Sequence, residues 1–382
     1  MKFSKRIEAI KPSATLKAGA KAKELKAKGI KLIDFTVGEP DFNTPQKIKE
    51  ACKKAIDENL THYAPVQGIP ELRQAIGQKF SYAPEEVIVT CGAKHAIYAT
   101  MQVLLDAGDE VVIPSPYWVS YPDQVLLAQG KPVIVATTDA ADFKMTPAQL
   151  ERAITAKTKM LILNSPSNPT GACYTAAELK KLGDICAAKN IWVLSDEIYD
   201  QLTYDGFTHI PFVAAAPQMQ GKTILVNGAS KSYAMTGWRM GFAAGPKELI
   251  AKMQILLSQE LTTIPTFVQR ACVTAFSDCV NEVEAMRKEF EKRRNKMFTL
   301  LTKISGITCT KPQGAFYLFP NVTAYKKTSQ EIADILLEEA HVAVVAGEAF
   351  GAPGYLRLSY ACDTATIEEG IDKTEQTLCK LL

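Results

Sequence analysis

Residues 223–241 read Thr-Ile-Leu-Val-Asn-Gly-Ala-Ser-Lys-Ser-Tyr-Ala-Met-Thr-Gly-Trp-Arg-Met-Gly. An apolar run typical of a strand is followed by small and hydroxylated residues around a single lysine, Lys231. Such surroundings can desolvate a lysine, which lowers its pKa and makes its amine a nucleophile toward an aldehyde. Arg239, flanked by Gly237 and Gly241, can bind a phosphate by two parallel hydrogen bonds. A solvated lysine and a surface arginine would give the same pattern, so this stretch alone leaves both interpretations open.

Outward from this stretch, short apolar runs alternate with helical patterns. The runs cover residues 87–90, 110–113, 133–136, 160–163, 191–194 and 223–226. Helical patterns between them include residues 93–105 and 175–189. Continuous apolar strands that alternate with helices predict an α/β fold, a mostly parallel sheet covered on both faces by helices. Ligands of such sheets bind at the carboxyl ends of the strands, so the loops after these runs are the places to look for chemistry.

The carboxy-terminal third has a different pattern. Helical patterns cover residues 247–301 and include a long charged segment, and an α+β pattern follows it, with strands near residues 315–319, 342–345 and 354–358. A further Ala/Lys-rich helix is predicted over residues 11–28. The predicted organisation is an amino-terminal arm (residues 1–12), a large domain (46–285) and a smaller α+β domain made from residues 13–45 and 286–382.

The bulk composition narrows the class of protein. The chain has 382 residues and a net charge of +3, which does not suggest a nucleic-acid-binding surface. Its nine cysteines form no CxxC pair and no metal-ligand spacing with the four histidines, a usage that fits a reducing compartment. No apolar run approaches the roughly 18 residues of a membrane span, and no signal-peptide pattern follows the basic start. We therefore expect a soluble, cytoplasmic protein without a membrane or nucleic-acid partner and without a metal.

The first two strand ends carry a glycine and a tryptophan. Cys91-Gly92-Ala93-Lys94 opens a helix after the run 87–90, and free backbone N–H groups beside Gly92 can form an anion site. Many strand-to-helix turns contain glycine for structural reasons alone. Trp118, in the loop after the run 110–113, can cover a flat aromatic ring by stacking. Packing in the core is the alternative for this tryptophan.

The next two strand ends carry polar side chains. Residues 164–171 read Asn-Ser-Pro-Ser-Asn-Pro-Thr-Gly, a constrained turn that would aim the amide of Asn168. Asp196, after the run 191–194, could hold a pyridine nitrogen protonated through a charge-assisted hydrogen bond. Tyr199 could donate to a phenolate oxygen on the same ring. An acidic helix cap would explain Asp196 equally well but would leave Tyr199 unexplained.

Together, five strand ends offer a phosphate site, a stacking ring, an amide donor, a carboxylate with a phenol, and a lysine with an arginine. Each feature is ambiguous alone, but all are expected at the same edge of one sheet. An enzyme that uses pyridoxal 5′-phosphate needs this set of groups. The sequence therefore predicts a pyridoxal phosphate site.

Five motifs resemble those of one known family. They are Thr-Val-Gly-Glu-Pro-Asp-Phe (36–42), Ser-Pro-Tyr-Trp-Val-Ser-Tyr-Pro (115–122), Asn-Pro-Thr-Gly (168–171), Ser-Asp-Glu-Ile-Tyr (195–199) and Ser-Lys-Ser-Tyr-Ala-Met-Thr-Gly-Trp-Arg-Met-Gly (230–241). The chain resembles the class I/II aminotransferases of fold type I, most closely the bacterial aspartate aminotransferase branch that includes aspartate/prephenate aminotransferases. The resemblance runs from about residue 11 to the carboxyl terminus, and it implies a homodimer with active sites at the interface.

The resemblance also implies roles for individual residues at the cofactor. Lys231 corresponds to the Schiff-base lysine and proton shuttle, and Asp196 to the partner of the pyridinium nitrogen. Tyr199 and Asn168 correspond to donors to the ring oxygen, and Trp118 to the stacking ring. The expected phosphate ligands are Gly92, Ala93, Lys94 and Arg239, with Tyr63 reaching the phosphate of the opposite subunit. Many relatives have a serine where this chain has Gly228, and Ser230 or water is the expected substitute.

Substrate recognition follows from the same resemblance. Arg357 corresponds to the arginine that binds the substrate α-carboxylate, beside the backbone of Gly38, with Trp118 and Asn168 also at the substrate. Lys94 corresponds to a lysine thought to meet the distal carboxylate of aspartate or glutamate, and Lys11 to one linked to the use of prephenate. We therefore expect amino-group transfer between aspartate and 2-oxoglutarate, with prephenate as an alternative. The Ser115–Pro116 and Asn168–Pro169 bonds are expected to be cis.

Other functions remain open at this stage. An aromatic or kynurenine-type aminotransferase, a β-lyase or a cyclopropane-forming synthase on the same fold would share every cofactor residue. A transcription regulator on this fold would need an additional DNA-binding domain, for which we see no residues. A catalytically inactive scaffold protein would be expected to lack Lys231 or Asp196, and both are present.

Overall fold

The structure is a computed structural model that describes residues 3–10, 24 and 27–382. Its strands are β1 Ile33–Asp34, β2 Val87–Cys91, β3 Glu110–Ser115, β4 Lys131–Ala136, β5 Thr158–Asn164, β6 Trp192–Asp196, β7 Thr223–Gly228, β8 Met240–Ala244, β9 Tyr317–Leu318, β10 Val342–Ala343, β11 Val345–Ala346 and β12 Leu356–Ser359. Its α-helices are α1 Lys5–Glu8, α2 Gln46–Asp57, α3 Pro70–Phe80, α4 Ala93–Leu104, α5 Ser120–Leu127, α6 Pro147–Ala153, α7 Ala176–Ala188, α8 Phe212–Ala215, α9 Lys247–Glu260, α10 Thr266–Asp278, α11 Val280–Leu301, α12 Ser329–Glu339 and α13 Thr364–Leu378. The helix predicted over residues 11–28 lies mostly outside the described residues.

The central sheet has seven strands in the order β2-β8-β7-β6-β5-β3-β4. Every strand except β8 runs in the same direction, and β8 is antiparallel to both of its neighbours, β2 and β7. This confirms the predicted α/β fold class. β8 is not among the predicted strands, because its sequence, Met-Gly-Phe-Ala-Ala, lacks the β-branched residues typical of strands.

Helices cover both faces of this sheet. On one face, buried residues of α4 and α9, such as Ile97 and Met253, pack against Val111 and Ile113 of β3. On the other face, residues of α7 and the neighbouring segments pack against Leu161 and other buried side chains of the central strands. Because both faces of the sheet are buried, the strands are continuous apolar runs and do not alternate apolar with polar residues.

A second, smaller unit surrounds a three-stranded sheet with the order β11-β12-β9. Its core joins α11, α12 and α13, and it includes the stacked pair Phe290 and Phe316, whose ring centroids are 5.3 Å apart. β1 pairs in parallel with β10, so the chain near Ile33 packs with the carboxy-terminal third. The predicted domain boundary near residue 285 falls inside the uninterrupted helix α11 and stays a prediction.

Among the described residues, three peptide bonds before proline are cis. Ser115–Pro116 and Asn168–Pro169 were expected, and Ser165–Pro166 is a third. In the part of the chain that the structure describes, no helix combines the length and the apolar character needed to cross a bilayer.

Candidate active site

A cavity of about 540 Å³ opens at the carboxyl ends of the central strands. It brings together most of the residues singled out from the sequence: Gly38, Ala93, Lys94, Trp118, Asn168, Asp196, Tyr199, Ser230, Lys231, Arg239 and Arg357. These residues are spread over more than 300 positions of the chain, and the sheet topology places them around one space. The predicted clustering at one sheet edge is therefore confirmed.

Two predicted site residues that the structure describes do not line this cavity, and a third cannot be placed. Gly92 does not line the cavity itself, but it begins α4 directly beside it. Tyr63 is 93% exposed on the surface and does not line this cavity. Lys11 lies outside the described residues, so its predicted role stays a prediction.

Lys231 follows β7 and reaches the centre of the cavity. Its Nζ donates a hydrogen bond to the carbonyl oxygen of Gly38 at 2.5 Å. Burial lowers the pKa of Lys231 to about 8, with nearby Arg357 and Arg239 adding to the effect and the charge of Glu39 opposing it. An appreciable fraction of the amine is therefore neutral near pH 7, as a nucleophile or base requires.

Asp196 ends β6 and is almost fully buried. Its carboxylate accepts hydrogen bonds from the Tyr121 hydroxyl at 2.7 Å and from the backbone N–H of Ile198 at 3.2 Å. Burial raises the pKa of Asp196 to about 6, and the two hydrogen bonds limit that rise. At neutral pH the group is therefore mainly a carboxylate, held in a fixed orientation inside the cavity.

The bond from Tyr121 supplies a first test. In Tyr121→Phe apoprotein the pKa of Asp196 should rise above about 6, because a donor to the charged form is lost. Any catalytic activity that depends on this carboxylate should fall by at least about tenfold, because a hydrogen bond to a charged group is worth roughly 1.5–3 kcal/mol. Carbon NMR of the aspartate carboxyls against pH measures the shift, and Tyr98→Phe on α4 serves as the control. An unchanged Asp196 titration would show that the bond does not act on the carboxylate.

Tyr199 and Asn168 occupy the next positions around the cavity. The hydroxyl of Tyr199 lies 3.0 Å from the hydroxyl of Tyr317. The Asn168 amide oxygen accepts a hydrogen bond from Arg357 at 3.1 Å, and its backbone N–H donates to the side chain of Asn164 at 2.8 Å. Because the amide oxygen is engaged by Arg357, the amide nitrogen is the atom available to donate to a ligand.

Arg357 is a buried cation, only 3% exposed. Its Nη2 donates to the carbonyl of Thr36 at 2.6 Å, and its guanidinium lies over the ring of Tyr317 at 4.5 Å. Its Nε is buried without a hydrogen-bond partner, and within the described part of the chain no carboxylate lies within 4.0 Å of it. Burial lowers the pKa of Arg357, but an arginine stays charged at any ordinary pH. A buried guanidinium without an anion is costly, so the site favours a bound carboxylate.

The expected phosphate site, at Gly92, Ala93, Arg239 and Gly241, forms what we call the phosphate corner. It requires that backbone and side-chain atoms pack closely against Gly92 and Gly241. Gly92 has a φ of +80°, and a Cβ there would lie 2.8 Å from the guanidinium of Arg239. A Cβ at Gly241 would lie 2.3 Å from the backbone nitrogen of Ala93. Arg239 is thereby held against the amino-terminal end of α4, where free N–H groups and the helix dipole favour an anion.

Steric crowding explains why this chain has Gly228 where many relatives have a serine. A Cβ at this position would lie 2.7 Å from the carbonyl oxygen of Met240 and 2.8 Å from the Cα of Gly241. The tight pairing of β7 with β8 therefore leaves no room for a serine side chain with this backbone. Ser230 lines the cavity, and its predicted role as a substitute phosphate donor, in place of which water was the alternative, stays a prediction.

The sequence analysis missed several lining residues, among them Asn164, Tyr121 and Tyr317. Asn164 ends β5, and its register pairs it with Asp196, so its place at a strand end was an available signal. Tyr121 lies one helical turn after Trp118, a spacing that places two side chains on one face. Nothing in the local sequence of Tyr317 indicates that its hydroxyl meets Tyr199.

Known proteins resemble this chain over nearly its whole length, and they belong to the family that the sequence motifs indicated. Residues 30–373 match the family described as aminotransferase class I and II. The chain is 50% identical to the aspartate aminotransferase of Geobacillus stearothermophilus and 43% identical to the probable aspartate/prephenate aminotransferase of Aquifex aeolicus, with 98% of both chains covered in each comparison.

A solved structure shows the likeness in three dimensions. The aspartate aminotransferase of Rhizobium meliloti is 38% identical and superposes with a TM-score of 0.97, covering 99% of each chain. Sequence family and structural neighbour agree with the geometry of the cavity. The chain belongs to the aminotransferase class I and II family.

Proposed function

We propose that this protein is an aspartate aminotransferase that uses pyridoxal 5′-phosphate and transfers the amino group between aspartate and 2-oxoglutarate. The observation that carries the proposal is the meeting of three groups in one cavity: the amine of Lys231, the buried carboxylate of Asp196 and the unpaired guanidinium of Arg357. The names of the relatives at 43% to 50% identity support the same reaction.

The residues fit pyridoxal phosphate. The absence of side chains at Gly92 and Gly241 lets Arg239 lie against the amino-terminal end of α4, and Arg239 has no carboxylate within 4.0 Å among the residues described. Asp196 supplies a buried anion for the pyridine nitrogen, and Trp118 lines the cavity where it can cover the ring. When bound, the cofactor supplies an aldehyde and an electron-withdrawing ring, neither of which the protein contains.

Lys231 is the proposed catalytic base. Its lowered pKa leaves part of the amine neutral near pH 7, and a neutral amine can remove the proton from the substrate Cα. Burial keeps the pKa of Lys231 low, and the nearby guanidiniums of Arg357 and Arg239 lower it further. Besides the electron-withdrawing ring that the cofactor would supply, proton transfer requires that the substrate Cα is held within reach of Nζ.

Arg357 is proposed to provide that positioning. Its planar fork suits the α-carboxylate, and its contacts with Thr36 and Asn168 fix its orientation. The burial of Tyr199 and Tyr317 keeps water from this end of the cavity, which strengthens the ionic contact. The substrate is thus held at one end while its Cα faces Lys231.

Lys94 is the proposed contact for the distal carboxylate of the substrate. Its Nζ lies 5.0 Å from the ring centroid of Trp118, at the cavity surface. In Lys94→Ala, we expect KM for aspartate to rise by about fivefold, whereas KM for alanine should change by less than about twofold, because alanine has no second carboxylate. Steady-state kinetics with both donors decides this. Equal effects on the two donors would assign Lys94 to the phosphate or to solvent.

The proposed reaction can be tested directly. Purified protein incubated with pyridoxal phosphate, aspartate and 2-oxoglutarate should form oxaloacetate and glutamate in equal amounts. A panel of aspartate, glutamate, prephenate, phenylalanine and kynurenine as substrates ranks the alternatives. Prephenate is the second candidate because the Aquifex aeolicus relative is named a probable aspartate/prephenate aminotransferase. Amino-acid turnover without any oxo-acid acceptor would contradict the proposal and indicate a β-lyase.

We also propose a homodimer with shared active sites. An apolar surface cavity lined by Trp238, Leu261 and Phe267 adjoins Arg239, so a second copy seated there would border the phosphate corner. Tyr63, 93% exposed, is proposed to reach the phosphate of that copy.

A cytoplasmic location is proposed as well, since all nine cysteines are free thiols.

A further inference from the structure

A second cavity, of about 370 Å³, lies next to the active-site cavity. The chain alternates between the two spaces: Asp196 and Tyr199 line the active site, whereas Asp200 lines the second cavity. In the same way Lys231 lines the first cavity and Tyr233 the second. The two cavities are therefore lined by neighbouring residues of the same two chain segments, and these segments carry the proposed catalytic groups.

Most charges around the second cavity are already paired. Glu197 lies 2.8 Å from the imidazole of His209. Arg287 lies 2.7 Å from Glu284. These pairs leave little net charge for a ligand to neutralise.

Two lining charges, one of each sign, are left over. Lys79 donates to the hydroxyl of Tyr233 at 2.9 Å, and Asp200, only 7% exposed, accepts from the Gln201 side chain at 2.9 Å and from Ser232 at 3.4 Å. Among the residues the structure describes, neither has an oppositely charged group within 4.0 Å. Burial lowers the pKa of Lys79 and raises that of Asp200, and the charge of each opposes the shift of the other.

We propose that the second cavity binds a free α-amino acid as its zwitterion, with the carboxylate toward Lys79 and the ammonium toward Asp200. An α-amino acid carries both charges on one short unit, so it supplies a partner to each side chain at once. The volume lies within the roughly 300–1,000 Å³ typical of small-molecule sites. Apolar lining residues such as Phe80 and Phe276 leave an environment for an aliphatic side chain.

Occupation of this cavity should influence the active site. The ligand would contact the same two chain segments that carry Tyr199 and Lys231. Any effect of the second-site amino acid on substrate binding must be matched by an equal effect of substrate on the second site. The proposal does not depend on which amino donor the enzyme uses.

Equilibrium dialysis of the holoenzyme against radiolabelled glycine tests it. Wild-type protein should bind about two glycine molecules per chain, one through Arg357 and one between Lys79 and Asp200. Arg357→Leu should retain only the second-cavity glycine, and Asp200→Asn and Lys79→Met should each retain only the active-site glycine. Thr203→Val, which alters the lining without changing charge, should bind as the wild type does.

Single-charge probes complete the design. Acetate and methylammonium should bind the second cavity of Arg357→Leu at least about tenfold more weakly than glycine, because each meets only one of the two charges. Equal affinity for glycine and for either half would overturn the proposal. So would retention of the second glycine by a folded Asp200→Asn or Lys79→Met protein. Were the aminotransferase assignment wrong instead, the glycine bound by Arg357→Leu would remain.

Discussion

Replacement of Lys231 by alanine should lower amino transfer from aspartate by about 10⁴-fold, the upper end of the contribution of a positioned general base. The substitution removes the amine that lies 2.5 Å from the Gly38 carbonyl in the centre of the cavity. The variant should still bind pyridoxal phosphate, because the phosphate corner and Asp196 are unchanged. Steady-state assays together with the absorbance of the bound cofactor measure both effects. Lys252→Ala, on the exposed face of α9, should keep wild-type activity.

Stability gives an independent readout for Lys231, because its folded pKa of about 8 lies below its ordinary value of 10.5. Between these two pH values the unfolded chain binds more protons, so this group makes the apoprotein more stable as pH rises. Below about pH 8 the full cost of the buried cation is present. Lys231→Met apoprotein should therefore have a higher Tm than the wild type at pH 7, and the difference should shrink toward pH 10. A lower Tm for the variant at pH 7 would show that the amine is not desolvated.

The sequence was sufficient to predict the strand ends and what they carry. Asp196 and Lys231 follow apolar runs long enough to be recognised as buried strands, and parallel strands must end at one edge. The prediction of a pyridoxal phosphate site followed from that placement. The local sequence pattern was sufficient because the position of each group depends only on the strand that precedes it.

Contacts between distant segments could not be predicted in the same way. The hydrogen bond from Tyr121 to Asp196 joins residues 75 positions apart, and Tyr199 meets Tyr317 across 118 positions. The residues of β8 have low strand propensity, so packing against the neighbouring strands determines their extended conformation. The sequence shows Gly228 only as a difference from relatives that have a serine there. The reason, that the neighbouring strand leaves no space for a side chain, is visible only in the structure.

Replacement of Arg357 should have an effect second only to that of Lys231. Arg357→Leu removes the two charge-assisted hydrogen bonds that we propose for the α-carboxylate, each worth about 1.5–3 kcal/mol, so kcat/KM for aspartate should fall by about 10²- to 10⁴-fold. Arg357→Lys keeps the charge but loses the fork that Thr36 and Asn168 orient, and its loss should be at least about tenfold. Arg270→Leu, which removes a half-exposed arginine 3.6 Å from Glu71, should stay within about twofold of the wild type.

The choice of substrate separates recognition by Arg357 from a general loss of structure. β-Alanine lacks the α-carboxylate of aspartate, so it has no group for Arg357 and should be a poor donor for the wild-type enzyme. If the buried, unpaired guanidinium exists to bind that carboxylate, the preference for aspartate over β-alanine should nearly disappear in Arg357→Leu. A preference that survives intact while both rates fall would mean that Arg357 supports the fold of the cavity and that the α-carboxylate is bound elsewhere.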